Sequence, residues 1–381
     1  MHKVVILGAG MVGKAIAIDM SKKHEVIAAD IDQASLDYLS RNYPVKTQAI
    51  NLMEEERIIS LVEQADLVIS AVPGFMGFDT LKTVIQAGKN IIDLSFMPED
   101  FMELNALAAS KGVTAITDCG VAPGMPNLIV GYQNEIMEIE SFSYVVGGLP
   151  RNRVYPFYYK APFSPVDVVE EYTRPARFVE KGKLMVKPAM SDPEKMYFER
   201  VGTLEAFYTD GLRSLLGNMS HITDMKEKTL RFPGHIELIQ ALKTAGFFDK
   251  EPILIGGASI RPVDFTSQVL IRDWKLEPDE PEFTIMRVEI SGKRDGRPLR
   301  LIYDLYDEYD PVERLSSMAR TTGFTATAHA ELILQQMFSG KGVFPPELVG
   351  MDADCYRFVM DYLCDRNVVY TKTSLWDEES N

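Results

Sequence analysis

Gly8, Gly10 and Gly13 stand in the spacing G-x-G-x-x-G directly after the apolar run Lys3–Leu7 and ahead of a helix-like stretch. That order suits a dinucleotide: Gly8 permits a tight turn, Gly10 lets the backbone approach a pyrophosphate, and Gly13 lets the helix close on the sheet. The pyrophosphate would rest on the free N–H groups of the helix start, at Met11 and Val12, where the backbone dipole favours negative charge. Twenty positions after Gly10, a second apolar run ends in Asp30. A carboxylate there accepts hydrogen bonds from the ribose hydroxyls and repels a 2′-phosphate, and the next basic residue, Arg41, is too far along to offset it. NAD rather than NADP is the expectation. Asp30 also reads as an ordinary strand-end cap for the helix starting near Gln33.

These residues need a scaffold, and the apolar pattern supplies one. Strand-like runs recur at Lys3–Leu7, Glu25–Ala29, Val45–Ile50, Leu67–Val72, Asn90–Leu94 and Val113–Thr117, with helical periodicity between them, as at Asp32–Leu39 and Leu52–Val62. Six strands alternating with helices predict an α/β fold with a Rossmann-type doubly wound parallel sheet. Right-handed crossovers place the ligand crevice at the carboxyl ends of the strands, which carry Gly8, Asp30, Val72, Pro73, Asp93 and Asp118.

Beyond about Met137 the runs lengthen and the connectors become Pro-rich: Ile139–Val146, Glu282–Ile290 and Leu299–Tyr306, the last two joined through Gly292–Gly296 with an Asp-Gly step that marks a hairpin. A mainly antiparallel sheet carrying helices near Gly211–Asn218 and His235–Thr244 is expected as an α+β domain for substrate and oligomerisation. The division predicted is residues 1–130 for the dinucleotide domain and 131–310 for the second. Residues 311–381 should return as helix to complete the first, and the tail Asp377–Asn381 has the composition of a disordered end.

With 381 residues, 46% of them hydrophobic, the chain can support about two domains. Its 55 acidic against 40 basic residues disfavour nucleic acid and anionic membrane surfaces. No run approaches a membrane span and no signal-type segment precedes the first strand, so a cytoplasmic protein is expected. Cys119, Cys355 and Cys364 lack close pairing, and the five histidines never fall at i, i+4 with a glutamate; no metal site is implied.

Residues Asp118–Asn127, reading DCGVAPGMPN, resemble the G-x-x-P-G loop of the saccharopine dehydrogenase family. Val146–Pro150 is similar to that family's GGLP turn, Tyr172–Ala176 with Gly182-Lys183 to its Pro-Ala and Gly-Lys pair, and Leu204–Arg213 and Lys228–His235 to two further motifs. Within the family the Val-Ala-Pro-Gly-Met loop resembles lysine 6-dehydrogenase. Ala122, Val146 and Phe96 stand where saccharopine dehydrogenases carry an aspartate, a cysteine and a tyrosine, so groups able to move protons around a secondary amine are missing. The resemblance implies NAD-dependent oxidative deamination of the ε-amino group of L-lysine, with hydride leaving C6 and ammonia released to give 2-aminoadipate 6-semialdehyde. It also implies a homodimer or larger homo-oligomer. Reductive condensation of an aldehyde with an amine, as in saccharopine or carboxynorspermidine dehydrogenases, and a non-catalytic NAD-binding regulator are the alternatives.

An ε-ammonium has an ordinary pKa of about 10.4 and must lose a proton before hydride departs. Asp93 or Asp118 could take it or hold the amine, although strand-end aspartates also cap turns. The motifs single out Arg213 and Arg231 for the α-carboxylate, since a guanidinium offers two parallel hydrogen bonds; salt bridging is the other reading. Glu205 could face the α-ammonium or pair with either arginine. His235 is a proton relay, a substrate partner, or the first residue of a helix. Tyr158, Tyr159 and Lys160, ahead of the Ser164-Pro165 step, are aromatic packing or pocket lining. Cys119 reads as a small buried residue.

Overall fold

The structure, a computed structural model, describes residues 1–162, 165–277 and 279–376, with only the backbone at 165 and 166. The expectations for Ser164 and for Asp377–Asn381 lie outside the described residues. In chain order the strands are β1 (Lys3–Leu7), β2 (Glu25–Asp30), β3 (Val45–Ala49), β4 (Leu67–Ser70), β5 (Ile91–Asp93), β6 (Thr114–Ile116), β7 (Glu138–Pro150), β8 (Ala176–Glu180) and β9 (Lys183–Lys187). They continue as β10 (Glu194–Phe198), β11 (Gly202–Tyr208), β12 (Asp224–Arg231), β13 (Ile253–Ile255), β14 (Ala258–Ile260), β15 (Glu282–Arg294), β16 (Arg297–Glu308), β17 (Gly342–Phe344) and β18 (Tyr370–Trp376).

The chain divides into two compact units. The first comprises Met1–Ile139, Gly292–Pro298 and Met318–Tyr370; the second comprises Glu140–Ser291, Leu299–Ser317 and the chain from Thr371.

In the first unit seven strands form one parallel sheet in the order β17-β6-β5-β4-β1-β2-β3. Its order reverses direction at β1, with β2 on one side and β4 on the other. Val5, Leu7, Val68, Ile91 and Ala115 pack with Leu81, Val84 and Ile85 of helix Gly74–Gln86. Strands covered on both faces read as continuous apolar runs, which is why six of them were visible in sequence. The seventh, β17, was not expected: three residues beginning with a glycine leave no period to detect. It pairs Gly342–Phe344 with Thr114–Ile116 of β6. The helix expected after Pro311 runs from Ser317 to Leu334, and Gly323 of that helix faces Ala15 and Ile16 of helix Met11–Ser21. Buried Asp19 on the latter accepts hydrogen bonds from Thr327, Tyr362 and Arg366 at 2.7–3.0 Å, tying the late helices to the glycine-turn helix.

In the second unit the main sheet runs β10-β11-β12-β7-β15-β16-β18, with β8 and β9 attached through β12. The pairs β8–β9, β8–β12, β10–β11 and β11–β12 are antiparallel, while β12 and β7 pair in parallel. The β15–β16 hairpin turns at Asp295-Gly296, where φ values of 53° and 75° match a two-residue turn whose twist follows that of the strands. The helix His235–Thr244 forms over its expected span. The helix expected over Gly211–Asn218 shrinks to Leu215–Asn218. Its first residues are held otherwise: Arg213 takes a left-handed φ of 46°, and the Gly211 peptide is bonded on both sides to buried side chains.

Candidate functional site

The three glycines of the opening turn divide their labour by space. A Cβ on Gly13 would lie 2.0 Å from the Gly8 carbonyl oxygen, and one on Gly8, already at φ +100°, would lie 2.6 Å from the Ala71 carbonyl oxygen. Gly10 has nothing within 4 Å of its Cβ position. Two glycines therefore close the turn, and the third leaves an open face. Gly10 also N-caps helix Met11–Ser21 without a side-chain hydrogen bond, so Met11, Val12 and Gly13 present their N–H groups at the helix start. Pro73 occupies the corresponding place on helix Gly74–Gln86, again without a side-chain cap, directly after buried Val72.

Asp30 ends β2 half-buried. Its Oδ2 accepts from the Ala9 N–H at 2.6 Å and its Oδ1 from the Asp32 N–H at 2.9 Å, which fixes the carboxylate beside the glycine turn. Asp32 adds a second carboxylate at the same strand end, where it caps helix Gln33–Asn42. Arg41 is bound to Asp37 at 2.8 Å on that helix. The strand end therefore carries two carboxylates beside the glycine turn. The open face at Gly10, the uncapped helix start and Asp30 together fit a dinucleotide.

Asp93, at the end of β5, is fully buried. Ser95 donates to its Oδ2 from the backbone at 3.1 Å and from the hydroxyl at 2.7 Å. Its Oδ1 finds no hydrogen-bond partner among the described residues, although Ser70 stands opposite in the β4–β5 register. Burial pushes the Asp93 carboxyl up to about 7 against the pull of the Ser95 and Ser70 hydroxyls, and the charge of Asp118 adds to the rise. Asp118 is also buried, two residues beyond β6, with a left-handed φ of 53°. Cys119 is bonded from its backbone to the Asp93 carbonyl at 3.1 Å; burial drives its thiol pKa well above the ordinary value, which agrees with an inert packing role.

The second unit gathers the remaining candidates into two groups. Arg231, on β12, is buried: Nε donates to the Tyr172 hydroxyl at 2.9 Å, Nη1 to the Leu230 carbonyl at 3.0 Å and Nη2 to Glu171 at 2.9 Å. Its guanidinium lies 4.3 Å from the centre of the Tyr159 ring. The salt-bridge reading therefore describes Arg231, whose donors serve the scaffold. His235 is fully buried with both ring nitrogens engaged, Nδ1 with the Phe157 carbonyl at 2.8 Å and Nε2 with Tyr172 at 2.9 Å. Burial and the nearby Arg231 charge pull its pKa down to about 3, so the ring stays neutral and does not shuttle protons near neutral pH. The relay expected of His235 gives way to a positioning role, because the aromatic cluster of Phe157, Tyr159, Tyr172 and Trp274 excludes water from it. Tyr159 packs in that cluster, with its hydroxyl buried and lacking a hydrogen-bond partner among the described residues. Glu205, opposite Arg231 in the β11–β12 register, accepts from the Gly234 N–H at 3.2 Å and so caps helix His235–Thr244.

Arg213 belongs to the second group, on the turn after β11. Arg174 and Arg177, which were not singled out in sequence, lie around the same turn. The only sequence signal for Arg174 was its place in the Tyr172–Ala176 motif.

Comparison with known proteins matches residues 4–116 to a family profile described as the saccharopine dehydrogenase NADP binding domain and residues 120–368 to one described as the saccharopine dehydrogenase C-terminal domain. The chain is 27% identical over 453 aligned positions to the mitochondrial alpha-aminoadipic semialdehyde synthase of Bos taurus, covering 98% of this chain and 48% of that protein. It is 25% identical over 265 positions to the Schizosaccharomyces pombe saccharopine dehydrogenase [NADP(+), L-glutamate-forming], covering 66% of this chain and 59% of that one. The chain thus spans about half the length of its mammalian relatives. Among solved structures, the apo saccharopine dehydrogenase (L-Glu forming) of Saccharomyces cerevisiae superposes with a TM-score of 0.80 at 18% identity, covering 98% of this chain and all 100% of that one. A homospermidine synthase of Legionella pneumophila in complex with NAD gives 0.67 at 13% identity, covering 99% and 91%. Both likenesses are of fold.

Proposed function

The chain belongs to the saccharopine dehydrogenase family, and from that premise we propose that it is an NAD-dependent dehydrogenase of an amino-acid amine, with L-lysine as substrate and 2-aminoadipate 6-semialdehyde and ammonia as products. The observation that carries this reading is Asp93: a buried carboxyl, with a pKa near 7, at the carboxyl end of a central strand of the dinucleotide-type sheet. An ordinary carboxylate holds a proton too weakly to receive one from an ammonium of pKa about 10.4, and burial narrows that gap.

The nicotinamide ring, when bound, supplies the hydride acceptor. The chain supplies the rest. The N–H groups at Met11 and Val12 would hold the diphosphate, and Asp30 would accept the ribose hydroxyls. Asp93 takes the ε-ammonium proton at its unpartnered Oδ1, while Ser95 steadies Oδ2. Asp118 holds negative charge beside it, which raises its proton affinity. The sum is amine, oxidised coenzyme and water giving aldehyde, reduced coenzyme, ammonia and one proton. Ala122, Val146 and Phe96 place no ionisable group where the saccharopine enzymes carry one, which supports a primary amine.

A second reading is oxidation of saccharopine with NADP, favoured by the names of the relatives. Formation of NADH or NADPH on L-lysine, L-ornithine and saccharopine at alkaline pH separates the two. Lysine with NAD should be the productive pair, and Asp30→Arg should shift preference toward NADP. Turnover of saccharopine without turnover of lysine overturns the substrate assignment.

A further inference from the structure

Ser70, Asp93 and Thr117 form one row across three neighbouring strands of the first unit. Ser70 and Asp93 are register partners in β4 and β5, and Thr117 follows Ile116, whose partner in β5 is Ile92, the residue before Asp93. Residues in register on a parallel sheet share a face, with strands about 4.8 Å apart. Two positions earlier on each strand that face carries Val68, Ile91 and Ala115, packed with Leu81 and Val84 of helix Gly74–Gln86. An apolar face thus ends in three polar side chains, and all three are fully buried.

Each keeps one atom without a hydrogen-bond partner among the described residues: Ser70 Oγ, Asp93 Oδ1 and Thr117 Oγ1. Ser95 is not placed to serve Oδ1. Its backbone and hydroxyl are committed to Oδ2, and its side chain fills the space beside Gly77, where a Cβ would lie 2.1 Å from the Ser95 Oγ. Buried polar atoms find partners in folded proteins, and those beyond direct reach of one another are joined by water. The charged group that bears on Asp93 is Asp118; the Cys119 thiol beside it is held neutral by burial, and the buried face of helix Gly74–Gln86 carries no charge. Hydroxyls and water are therefore what remains to support the carboxylate form at Oδ1.

We propose that Ser70 and Thr117 are positioning residues for Asp93: they hold buried water on its Oδ1, and the carboxyl exchanges its proton through that water. Asp93 has no exposed surface, so a proton must be handed to it by a neighbour. Water on Oδ1 gives one proton to the carboxylate as it receives another, and its own two O–H bonds are restored. The proposal rests on the dehydrogenase reading only for the source of that proton.

Carbon-13 NMR titration of the aspartate carboxyl groups in the full chain, without coenzyme, reads the row independently of turnover, with the Asp93 signal identified by its loss in Asp93→Asn. Ser70→Ala and Thr117→Val each remove a hydroxyl that supports the carboxylate, and each should raise the Asp93 midpoint by about half a pH unit or more. Thr117→Ser returns a hydroxyl and should return the midpoint. Thr114→Val, on the opposite face of β6, removes a hydroxyl bonded to the Gly340 carbonyl at 2.6 Å and should leave Asp93 unmoved even where it lowers thermal stability. A high-resolution crystal structure should show water within hydrogen-bond distance of Oδ1. A dry Oδ1, an Asp93 midpoint that stays in place in either Ser70→Ala or Thr117→Val, or an equal rise in Thr114→Val overturns the proposal. The expected shifts in a protein that fails to oxidise lysine keep the row and remove the lysine assignment; unmoved midpoints beside turnover lost in Asp93→Asn remove the row and keep the base.

Discussion

Tyr172 donates its hydroxyl proton to Nε2 of His235, 2.9 Å away, and the direction is forced by the other side of the ring. Nδ1 faces the Phe157 carbonyl at 2.8 Å, a group that only accepts, so the imidazole proton sits on Nδ1 and Nε2 is the acceptor. Arg231 Nε in turn donates to the same Tyr172 oxygen. The result is a directed chain, Arg231 to Tyr172 to His235 to the Phe157 carbonyl, with no proton left to exchange near neutral pH.

The first prediction concerns this chain. With its folded pKa near 3 and an ordinary value near 6.5, His235 contributes stability that is present above about 6.5 and is lost as the pH falls toward 3. Its NMR resonances should keep the Nδ1–H pattern, without titrating, from pH 8 down to about 4. Tyr172→Phe leaves two buried groups unpaired and should cost about 1–3 kcal/mol in urea unfolding. A His235 resonance that titrates near 6.5 contradicts the chain.

A second prediction separates the glycines. Gly10 has an ordinary backbone, φ −65°, and open space at its Cβ position. Gly10→Ala should therefore unfold within about 0.5 kcal/mol of the natural protein while losing dinucleotide affinity by about tenfold or more. Gly13→Ala drives a methyl group into the Gly8 carbonyl and should lose about 1–3 kcal/mol of stability. Fluorescence titration with NADH and urea unfolding of both variants measure the contrast. Equal coenzyme binding by Gly10→Ala and the natural protein would remove the turn from the cofactor site.

The third prediction uses the sign of the Asp93 shift. A carboxyl with a folded pKa near 7 and an ordinary value near 4 contributes stability that is present below about 4 and lost as the pH rises through 7. Asp93→Asn should flatten that alkaline decline and, if Asp93 is the base, lower kcat by about 10²–10⁴-fold. In the natural protein kcat/KM should climb through about pH 7 as the carboxylate forms. A variant that is more stable at pH 8 and keeps full turnover assigns Asp93 to packing alone.

What could be read from the sequence was local. The roles of Gly8, Gly10 and Gly13, the acid at Asp30, the β1–β6 runs and the Asp295-Gly296 turn depend on neighbours within a few residues or on a two-residue period, and both leave a pattern. The fates of Arg231 and His235 depend on Glu171, Tyr172 and Phe157, which lie about sixty or more positions away and are joined to them only by the fold. The lost start of the Gly211–Asn218 helix has the same origin, since Tyr144 and Glu227 outbid the local helical preference for the Gly211 peptide.

The pairing of β17 with β6 has a consequence for how the protein is made. Residues 342–344 close a sheet edge laid down by residues 114–116, and nearly the whole second unit is synthesised in between. Until those three residues emerge, β6 offers its hydrogen-bonding groups to any extended strand in reach. A nascent or prematurely terminated chain lacking them carries an adhesive edge on an otherwise finished sheet, and self-association is the fate to expect of it.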